Sequence, residues 1–367
     1  MNVSKRNKSK GLCTERAVLF NQKLKKWHAL HSRSFPWIGE KNPYKVWLSE
    51  IILQQTRVEQ GLPYYESYLK YFPTINDLAN TDEQLVFRLW QGLGYYNRCK
   101  NMLRTARIVA EEYQGKFPNT YEKIIQLPGI GPYTAAAISS FAFNLPQAVV
   151  DGNVERFLSR YLGIEEEVNT ASGKKVFTQV ATNFLDKNNP ADFNQAMMDF
   201  GATVCMPRHP ACSSCPFNMD CVALEKGSID KLPVKKKKKK VKKRYLNYFV
   251  FRYKDNLYIR KRPAGDIWQN LHDFLLFESD HRLSESKMKE VSILQQAIPK
   301  GEQPLFIAFF SCVHQLTHQK LYLHFVEIEL DKSPCLSEDF FAINIKSRDN
   351  YAFPRPLVRF LDRMEQL

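Results

Sequence analysis

The sequence predicts a multidomain protein, with an all-α first domain followed by an α+β second domain. Three observations predict this: the length of 367 residues, a run of basic residues near position 240, and a change of hydrophobic periodicity across that run. A chain of this length ordinarily forms two or three domains, and a hydrophobic content of 44% is enough to build their cores. We expect the linker between the domains at residues 227–245.

Before the basic run, apolar residues recur at the spacing of helices. The pattern is clear in segments 17–30, 46–55 and 98–113, and the connections between them carry Pro, Gly and Asn. We therefore predict a helical domain over residues 11–226, preceded by a basic and disordered N-terminus at residues 1–10.

After the basic run, apolar and polar residues alternate, which is typical of strands. Strands are predicted at residues 248–253, 257–262 and 320–330. Segments 283–297 and 354–367 have the pattern of helices. Residues 246–367 are therefore expected to form the α+β domain.

The chain is strongly basic, with a formal net charge of +15 and a pI near 9.3. This balance favours an anionic partner, either nucleic acid or a membrane surface. No apolar run is long enough to span a bilayer, and the basic N-terminus is not followed by the apolar segment of a secretion signal. We therefore expect a cytoplasmic protein without membrane contact. The lysine run itself is either a solvated tether or a segment that lies along phosphates.

Four cysteines lie close together in a proline-rich loop with the spacing C-x6-C-x2-C-x5-C. They are Cys205, Cys212, Cys215 and Cys221. Four thiolates on so short a segment can converge on one metal centre, and both [4Fe–4S] clusters and zinc accept four cysteines. The spacing alone does not choose between the two metals.

Residues 127–154 predict a glycine hairpin followed by a helix and a lone carboxylate at Asp151. Gly129 and Gly131 allow a tight backbone turn, and Pro132 suits the first position of a helix. The N–H groups at such a helix start can hold a phosphate. Asp151 could act chemically beside that phosphate, or it could simply cap the next helix.

Glu50 lies in an otherwise apolar helix, in the segment VWLSEIILQQT. Burial among Trp and Ile would raise the pKa of its carboxyl and suit a general acid, whereas on an amphipathic surface it would have no such role. Gln54, Gln55 and Thr56 follow it, where they either contact DNA or end the helix.

The loop GLGYYNR at residues 92–98 places Tyr95 and Tyr96 between glycines and a helix. Such an aromatic residue could insert between stacked bases, as in proteins that unstack DNA. Both tyrosines could equally be packing residues.

Taken together, these segments resemble the adenine DNA glycosylase (MutY) family of the helix-hairpin-helix glycosylase superfamily. The resemblance is close over residues 20–225 and looser beyond. It rests on PYKVWLSEIILQQTRV, LWQGLGYY, LPGIGPYTAAAI, VDGNVERFL, FNQAMMDFGATVC and the cysteine loop, which occur in the order and spacing of the family.

The resemblance implies an enzyme that flips adenine out of duplex DNA and hydrolyses its glycosidic bond, leaving an abasic site. Glu50 would protonate the base, and Asp151 would face the sugar, either covalently or electrostatically. Asn153 and Tyr133 match positions close to the sugar. Endonuclease III-like enzymes carry a lysine where this chain has Tyr133, so we expect no strand cleavage.

Further positions are implied by the same resemblance. Gln195 would lie near the base pocket, Gln54 and Tyr95 would intrude into the duplex, and the cysteine loop at residues 199–222 would hold a [4Fe–4S] cluster. Ile38 departs from the family, because many relatives have a polar residue there.

The second domain resembles the Nudix-like domain of this family, which reads 8-oxoguanine opposite the adenine. The reading loop would be HQLTH, with Leu316, Thr317 and His318 as its contacts, although two residues of this loop depart from the usual H-x-F-S-H. Asn270 also departs, because glycine is usual there. The expected partner is therefore double-stranded DNA with adenine opposite 8-oxoguanine or guanine, bound by a monomer in the bacterial nucleoid.

Two alternatives stay open at this point. One is an endonuclease III-like glycosylase and lyase that acts on oxidised pyrimidines, against which Tyr133, Glu50 and the second domain argue. The other is a non-catalytic iron–sulfur protein that binds DNA, against which the joint presence of Glu50 and Asp151 argues.

Overall fold

The computed structural model describes residues 3–236 and 241–364, with side chains from residue 15 onward. Within these ranges the chain forms two compact units. The first unit contains the residues up to Ala79 and those from Arg104 to residue 236, and the second contains Asn80–Leu103 and the residues from 241 onward. A segment that the sequence assigned to the helical domain therefore belongs with the second unit. Residues 237–240 of the predicted linker lie outside the described residues.

The chain up to residue 225 is helical, as its periodicity predicts. The helices are α1 (Val3–His31), α2 (Pro43–Leu53), α3 (Val58–Tyr71), α4 (Ile75–Asn80), α5 (Glu83–Leu89), α6 (Tyr96–Glu112), α7 (Tyr121–Ile124), α8 (Pro132–Phe143), α9 (Gly152–Leu162), α10 (Ala171–Phe184), α11 (Pro190–Thr203) and α12 (Val222–Glu225). No helix in the described part of the chain is both long and apolar enough to cross a bilayer.

Helix α1 begins earlier than the sequence predicted. Its backbone is helical from Val3, where we expected disorder up to residue 10. No proline interrupts this stretch, so the helix predicted at residues 17–30 can continue towards the N-terminus.

The core of the first unit is aromatic. Phe20 of α1, Phe157 of α9 and Phe200 of α11 pack around Phe217 of the cysteine loop, with ring centroids 4.5–5.8 Å apart. Offset and edge contacts of this kind stabilise a core beyond the area that they bury. The cluster fixes α9 and α11 against the cysteine loop.

The second unit is built on a sheet of seven strands in the described residues, β1 (Lys242–Tyr253), β2 (Asn256–Lys261), β3 (His272–Asp273), β4 (Leu275–Ser279), β5 (Leu305–Gln315), β6 (Gln319–Leu330) and β7 (Phe340–Asn344). Strands β3, β2, β1, β6 and β5 are neighbours in this order, while β4 also pairs with β1 and β7 with β2. The central β1–β6 pair is parallel, and the β5–β6 pair is an antiparallel hairpin.

The second unit differs from the predictions in several details. Strand β1 starts inside the predicted linker because Lys242, Lys243 and Arg244 pair in register with β6. The single helix predicted at residues 283–297 is two short ones, α13 (Glu285–Lys289) and α14 (Ser292–Ala297), because the backbone at Val291 is extended.

A further difference is that the sequence analysis predicted only the strands β1, β2 and β6, and missed β3, β4, β5 and β7. The longest of the missed strands is β5, with 11 residues. A bulge between Phe306 and Ala308 interrupts the period of two in this strand, so the alternation that reveals a strand is lost. The last helix, α15 (Arg355–Met364), agrees with the helix predicted there.

Gly201 allows α11 to pack closely against α9. A Cβ added at Gly201 would lie 2.5 Å from the backbone oxygen of Asn153, which is closer than real Cβ contacts. We predict that Gly201→Ala lowers the free energy of unfolding by about 1–3 kcal/mol through overpacking. Thermal or denaturant unfolding measures this.

Gly152→Ala is the matched control, because a Cβ there meets nothing within 4 Å. It should leave the stability unchanged or raise it by up to about 1 kcal/mol, since alanine favours a helix. Equal stability of the two variants would contradict the proposed tight contact.

Candidate active site

The first unit contains an open cleft of about 1180 Å³. Nine residues predicted from the sequence line it: Glu50, Gln54, Gln55, Thr56, Gly131, Tyr133, Asp151, Asn153 and Gln195. Ile38, noted as a departure from the family, lines it as well. The fold therefore collects side chains from α2, α8, α9 and α11 around one space.

Glu50 lies on the wall of this cleft that α2 and α8 form. Asn42 caps the start of α2, with its side chain accepting a hydrogen bond of 3.0 Å from the backbone N–H of Tyr44. Burial raises the pKa of the Glu50 carboxyl to about 7, although a hydrogen bond with Tyr133 lowers it and the charge of Asp151 raises it. The carboxyl is therefore partly protonated at neutral pH.

Tyr133 completes this wall from the first turn of α8. Burial, together with the charges of Glu50 and Asp151, holds the pKa of its phenol well above the ordinary value. The phenol is therefore a neutral hydrogen-bond donor to Glu50 at neutral pH.

Asp151 caps α9 and faces the cleft at the same time. One carboxylate oxygen accepts from the backbone N–H groups of Asn153 and Val154 at 2.9 and 2.8 Å, and the other accepts from the Asn153 amide at 2.7 Å. Burial raises the pKa of Asp151 above its ordinary value, and these hydrogen bonds oppose that effect. The two interpretations of this residue, cap and site carboxylate, are compatible in one geometry.

The segment before Asp151 is held by a residue that the sequence analysis missed. Asn194 of α11 is buried, accepts a hydrogen bond of 2.9 Å from Val149 N–H and donates one of 2.8 Å to the carbonyl of Gln147. The chain at residues 147–149 is thereby fixed, and so is the point at which α9 begins.

Arg156 connects the site to the cysteine loop. It donates to the carbonyls of Gly201 at 2.6 Å and Cys205 at 2.7 Å, and to the side-chain oxygen of Asn153 at 2.8 Å. Asn153 in turn donates to Asp151. A continuous chain of hydrogen bonds therefore runs from the cysteine loop to the site carboxylate.

The predicted glycine hairpin is present before α8. Gly129 has a φ of +75°, in the left-handed region that favours glycine, and the carbonyl of the preceding Pro128 accepts from Thr105 at 2.8 Å. A Cβ at Gly131 would meet nothing within 4 Å, so the start of α8 has bare backbone beside it. This geometry suits a bound phosphate.

The end of α2 turns towards α8. Gln54 donates from its amide nitrogen to the hydroxyl of Thr134 at 3.1 Å, so it is tied to the first turn of α8. Gln55 is exposed and has a φ of +56°, which is uncommon for a residue with a side chain.

Glu155 of α9 is a further carboxyl that lines the cleft. Burial raises the pKa of Glu155 to about 7, with the charge of Asp151 raising it and those of Lys174 and Lys235 lowering it. Glu155 follows Asp151 by four residues on α9, so both project from the same face of the helix.

A further group that sequence reasoning missed lies behind the lining of the cleft. Asp199 of α11 is buried and accepts hydrogen bonds from His28, Arg33 and Gln195. The signal in the sequence was its spacing of four residues from Gln195 on one helix, which places both side chains on one face.

The four cysteines of the loop surround one small cavity beside the aromatic core. Burial raises the pKa of the Cys215 thiol to about 11, and it also raises those of Cys205 and Cys212. Free thiols would therefore stay protonated here, and thiolates would need the positive charge of a metal centre. No group of three or more His, Cys, Asp or Glu side chains in the described residues is arranged as a site for a single metal ion.

Arg160 encloses this cavity. Its guanidinium lies 3.6 Å from the sulfur of Cys205 and donates to the carbonyl of Met206 at 2.8 Å. Its backbone oxygen accepts from the thiol of Cys221 at 3.5 Å. Four convergent sulfurs with a buried cation beside them fit a negatively charged metal–thiolate centre.

The second unit brings two predicted DNA contacts together. Tyr95 is 48% exposed with a φ of +50°, and its hydroxyl lies 3.0 Å from the hydroxyl of Thr317. Tyr96, by contrast, is buried as a packing residue. Leu316, Thr317 and His318 form the tip of the β5–β6 hairpin, with Thr317 and His318 exposed.

The departure at Asn270 has a conformational explanation. Its φ is +69°, in the left-handed region where glycine is easiest and asparagine is the next best tolerated. The backbone turn that glycine would make is therefore kept in this chain.

Comparison with known proteins agrees with both parts of the chain. Residues 48–181 match the HhH-GPD superfamily base excision DNA repair protein family, and residues 247–363 match the NUDIX domain family. A thermostable thymine-DNA glycosylase of known structure superposes with a TM-score of 0.54 at 29% identity, covering 58% of this chain and 98% of that one. An endonuclease III trapped on DNA reaches a TM-score of 0.50 at 19% identity, covering 57% of this chain and 98% of that one, and supports the fold alone.

Relatives match one or both parts of the chain. The adenine DNA glycosylase of Buchnera aphidicola subsp. Baizongia pistaciae is 32% identical over 360 residues, covering 95% of this chain and 97% of that protein. The human adenine DNA glycosylase is 39% identical over 222 residues, covering 58% of this chain and 41% of that protein. The chain therefore belongs to the adenine DNA glycosylase family and is a DNA N-glycosylase of base excision repair.

Proposed function

We propose that this enzyme removes adenine opposite 8-oxoguanine or guanine by acid-assisted hydrolysis and leaves an intact strand with an abasic site. The observation that carries the proposal is the placement of Glu50, Tyr133, Asp151 and Asn153 around one cleft. The cleft joins a proton donor for the base to a carboxylate for the sugar. These are the two needs of this reaction.

Glu50 is the proposed general acid. Adenine is a poor leaving anion, so protonation of its ring lowers the barrier to breaking the glycosidic bond. A carboxyl with a pKa of about 7 holds its proton in part of the molecules at neutral pH and can give it to a flipped base. The Tyr133 phenol then stabilises the carboxylate that remains.

Asp151 is the proposed partner of the sugar. The deoxyribose becomes positively charged as the bond breaks, and a carboxylate oriented by three N–H donors offsets that charge. The same geometry is compatible with a transient bond to the sugar.

Tyr133 supports hydrolysis without strand cleavage. A lyase needs an amine that attacks the sugar and forms an imine, and a phenol cannot form one. In place of such an amine, this chain has the buried, neutral hydroxyl of Tyr133, which is hydrogen-bonded to Glu50.

DNA would be held by the glycine hairpin and the end of α2. The bare backbone at Gly131 and the N–H groups of α8 suit a phosphate, and exposed Gln55 with Thr56 projects beside them. The lysines near residue 235 would add a contribution that depends on salt.

The four cysteines are proposed to hold a [4Fe–4S] cluster. Their convergence on one cavity beside Arg160 supports a metal–thiolate centre, and iron and acid-labile sulfide analysis tests the identity of the metal. When bound, the cluster would fix the loop to which Arg156 is hydrogen-bonded.

The second unit is proposed to read 8-oxoguanine. Tyr95 and Thr317 lie within hydrogen-bond distance although they are 222 residues apart in sequence, and both are exposed. An aromatic ring that stacks and a hydroxyl that hydrogen-bonds can together recognise one base in the opposite strand.

The proposed function predicts a specific loss in Glu50→Gln. The variant should bind duplex DNA but excise adenine about 100- to 10,000-fold more slowly, because the amide cannot supply the proton. Single-turnover excision from A opposite 8-oxoguanine measures this, with strand breaks counted before and after alkali. Breaks without alkali, or a covalent complex trapped by borohydride with the unmutated protein, would contradict hydrolysis without lyase activity.

The pKa of Glu50 predicts the pH dependence of the same reaction. The acid acts in its protonated form, so the single-turnover rate should fall as pH rises above about 7, approaching tenfold per unit. Glu155 has a similar pKa, so Glu155→Gln is the matched variant and should keep this fall. If the fall with pH disappeared in Glu155→Gln, the group that titrates would be Glu155, and the assignment to Glu50 would be wrong.

Thr317→Val tests recognition of the opposite base. Valine keeps the shape but removes the hydroxyl, so the preference for A opposite 8-oxoguanine over A opposite guanine should fall about threefold to tenfold. Single-turnover rates on the two duplexes give this ratio. Thr120→Val, an exposed change outside the cleft, should leave the ratio as in the unmutated protein.

A further inference from the structure

A fully buried carboxylate lies behind the lining of the cleft. The side chain of Asp199 is 0% exposed, and three side chains that line the cleft donate to it. Arg33 and Gln195 donate to one oxygen at 2.6 and 3.0 Å, and His28 donates to the other at 3.1 Å. One acidic group therefore fixes three groups of the cleft.

Asp199 is held in its ionised form. Burial alone would raise the pKa of Asp199. The hydrogen bonds from His28, Arg33 and Gln195 and the charge of Arg33 outweigh this effect. Its pKa therefore lies below the ordinary value. An ionised carboxylate only accepts hydrogen bonds.

This property decides which way the amide of Gln195 points. Only its nitrogen can face a carboxylate, because the opposite orientation would place the amide oxygen against a negative charge. The amide oxygen Oε1 is then left on the other side. None of the residues that the structure describes donates a hydrogen bond to it.

We propose that Asp199 is a positioning residue for base selection, which holds Gln195 so that the cleft presents a carbonyl oxygen to the base. This inference rests on the proposed binding of adenine in the cleft. Adenine carries an exocyclic amine that can donate to such an oxygen. Hypoxanthine carries a carbonyl oxygen on the same ring carbon, so the two oxygens would repel each other.

A purely structural role for Asp199 gives a different expectation. If it served only to tie α1 to α11 through His28, its loss would slow the excision of every base by the same factor. A role through Gln195 changes the ratio of the two bases. The ratio of single-turnover rates for adenine and hypoxanthine, both opposite 8-oxoguanine in otherwise identical duplexes, therefore separates the two roles.

The first test is Asp199→Asn. The new amide can donate to Gln195 Oε1, so Gln195 can turn and present its N–H groups to the cleft. We expect the ratio of adenine to hypoxanthine excision to fall by about tenfold or more, because a site built for a donor base rejects its analogue through unpaired polar groups. Asp349→Asn removes the same charge from a side chain that is 93% exposed, and it should leave the ratio unchanged.

The second test is Gln195→Met, which serves if Asp199→Asn does not fold. In this variant Asp199 keeps its hydrogen bonds with Arg33 and His28, so we expect the fold to be kept. It should reduce the ratio as Asp199→Asn does, and the double variant should reduce it no further, because both changes act through one amide. Circular dichroism and duplex affinity establish that each variant is folded.

Three results would overturn the proposal: an unmutated protein that excises both bases equally, an equal loss of both activities in Asp199→Asn, or an unchanged ratio in Gln195→Met. Failure of the proposed function is distinguishable from all three. In that case the unmutated protein would leave adenine in place, whereas here adenine is still excised and only the ratio is at issue.

Discussion

The hydrogen bonds of Arg156 are the constraint on which the site depends. The last carbonyls of a helix have no partner within it, and α11 ends at Thr203, two residues before the first cysteine of the loop. Arg156 donates to the carbonyls of Gly201, Cys205 and Gly152 and to the side-chain oxygen of Asn153. A buried guanidinium is costly to leave unpaired, so α9, α11 and the loop keep one arrangement. Any displacement of the loop would therefore reach Asp151.

The two carboxyls of the site are the same chemical group, and their different surroundings give them different roles. Glu50 lies in an apolar wall with one phenol as partner, and burial raises its pKa to about 7. Asp151 has three N–H donors, which oppose the effect of its burial. Pairs of carboxyls in unlike environments divide into a proton donor and a charged partner. The hydrogen bonds of the cap therefore do more than begin α9, because they also favour the charged form of Asp151.

The sequence was sufficient for the helices, the cysteine loop and most of the residues of the cleft, because periodicity and motif spacing are local properties. Glu50, Tyr133 and Asp151 meet in the structure as the motifs implied. Asp199, Asn194 and Arg156 were missed because their importance comes from partners that are distant in sequence. The spacing between Gln195 and Asp199 places both on one face of a helix but does not reveal these distant partners. The strand β5 was missed for a different reason, since its bulge breaks the alternation.

The division of the chain shows the limit of a boundary inferred from composition. The basic run marks a change of secondary structure, yet residues 80–103 belong to the unit that follows it. Glu83 is 3.4 Å from both Lys261 and Asn270, and the side chain of Gln91 accepts from Phe353 N–H at 3.3 Å. The loop that carries Tyr95 is thus fixed to the same scaffold as the hairpin that carries Thr317. Two groups proposed to read one base need a constant separation, and a shared scaffold supplies it where a flexible linker could not.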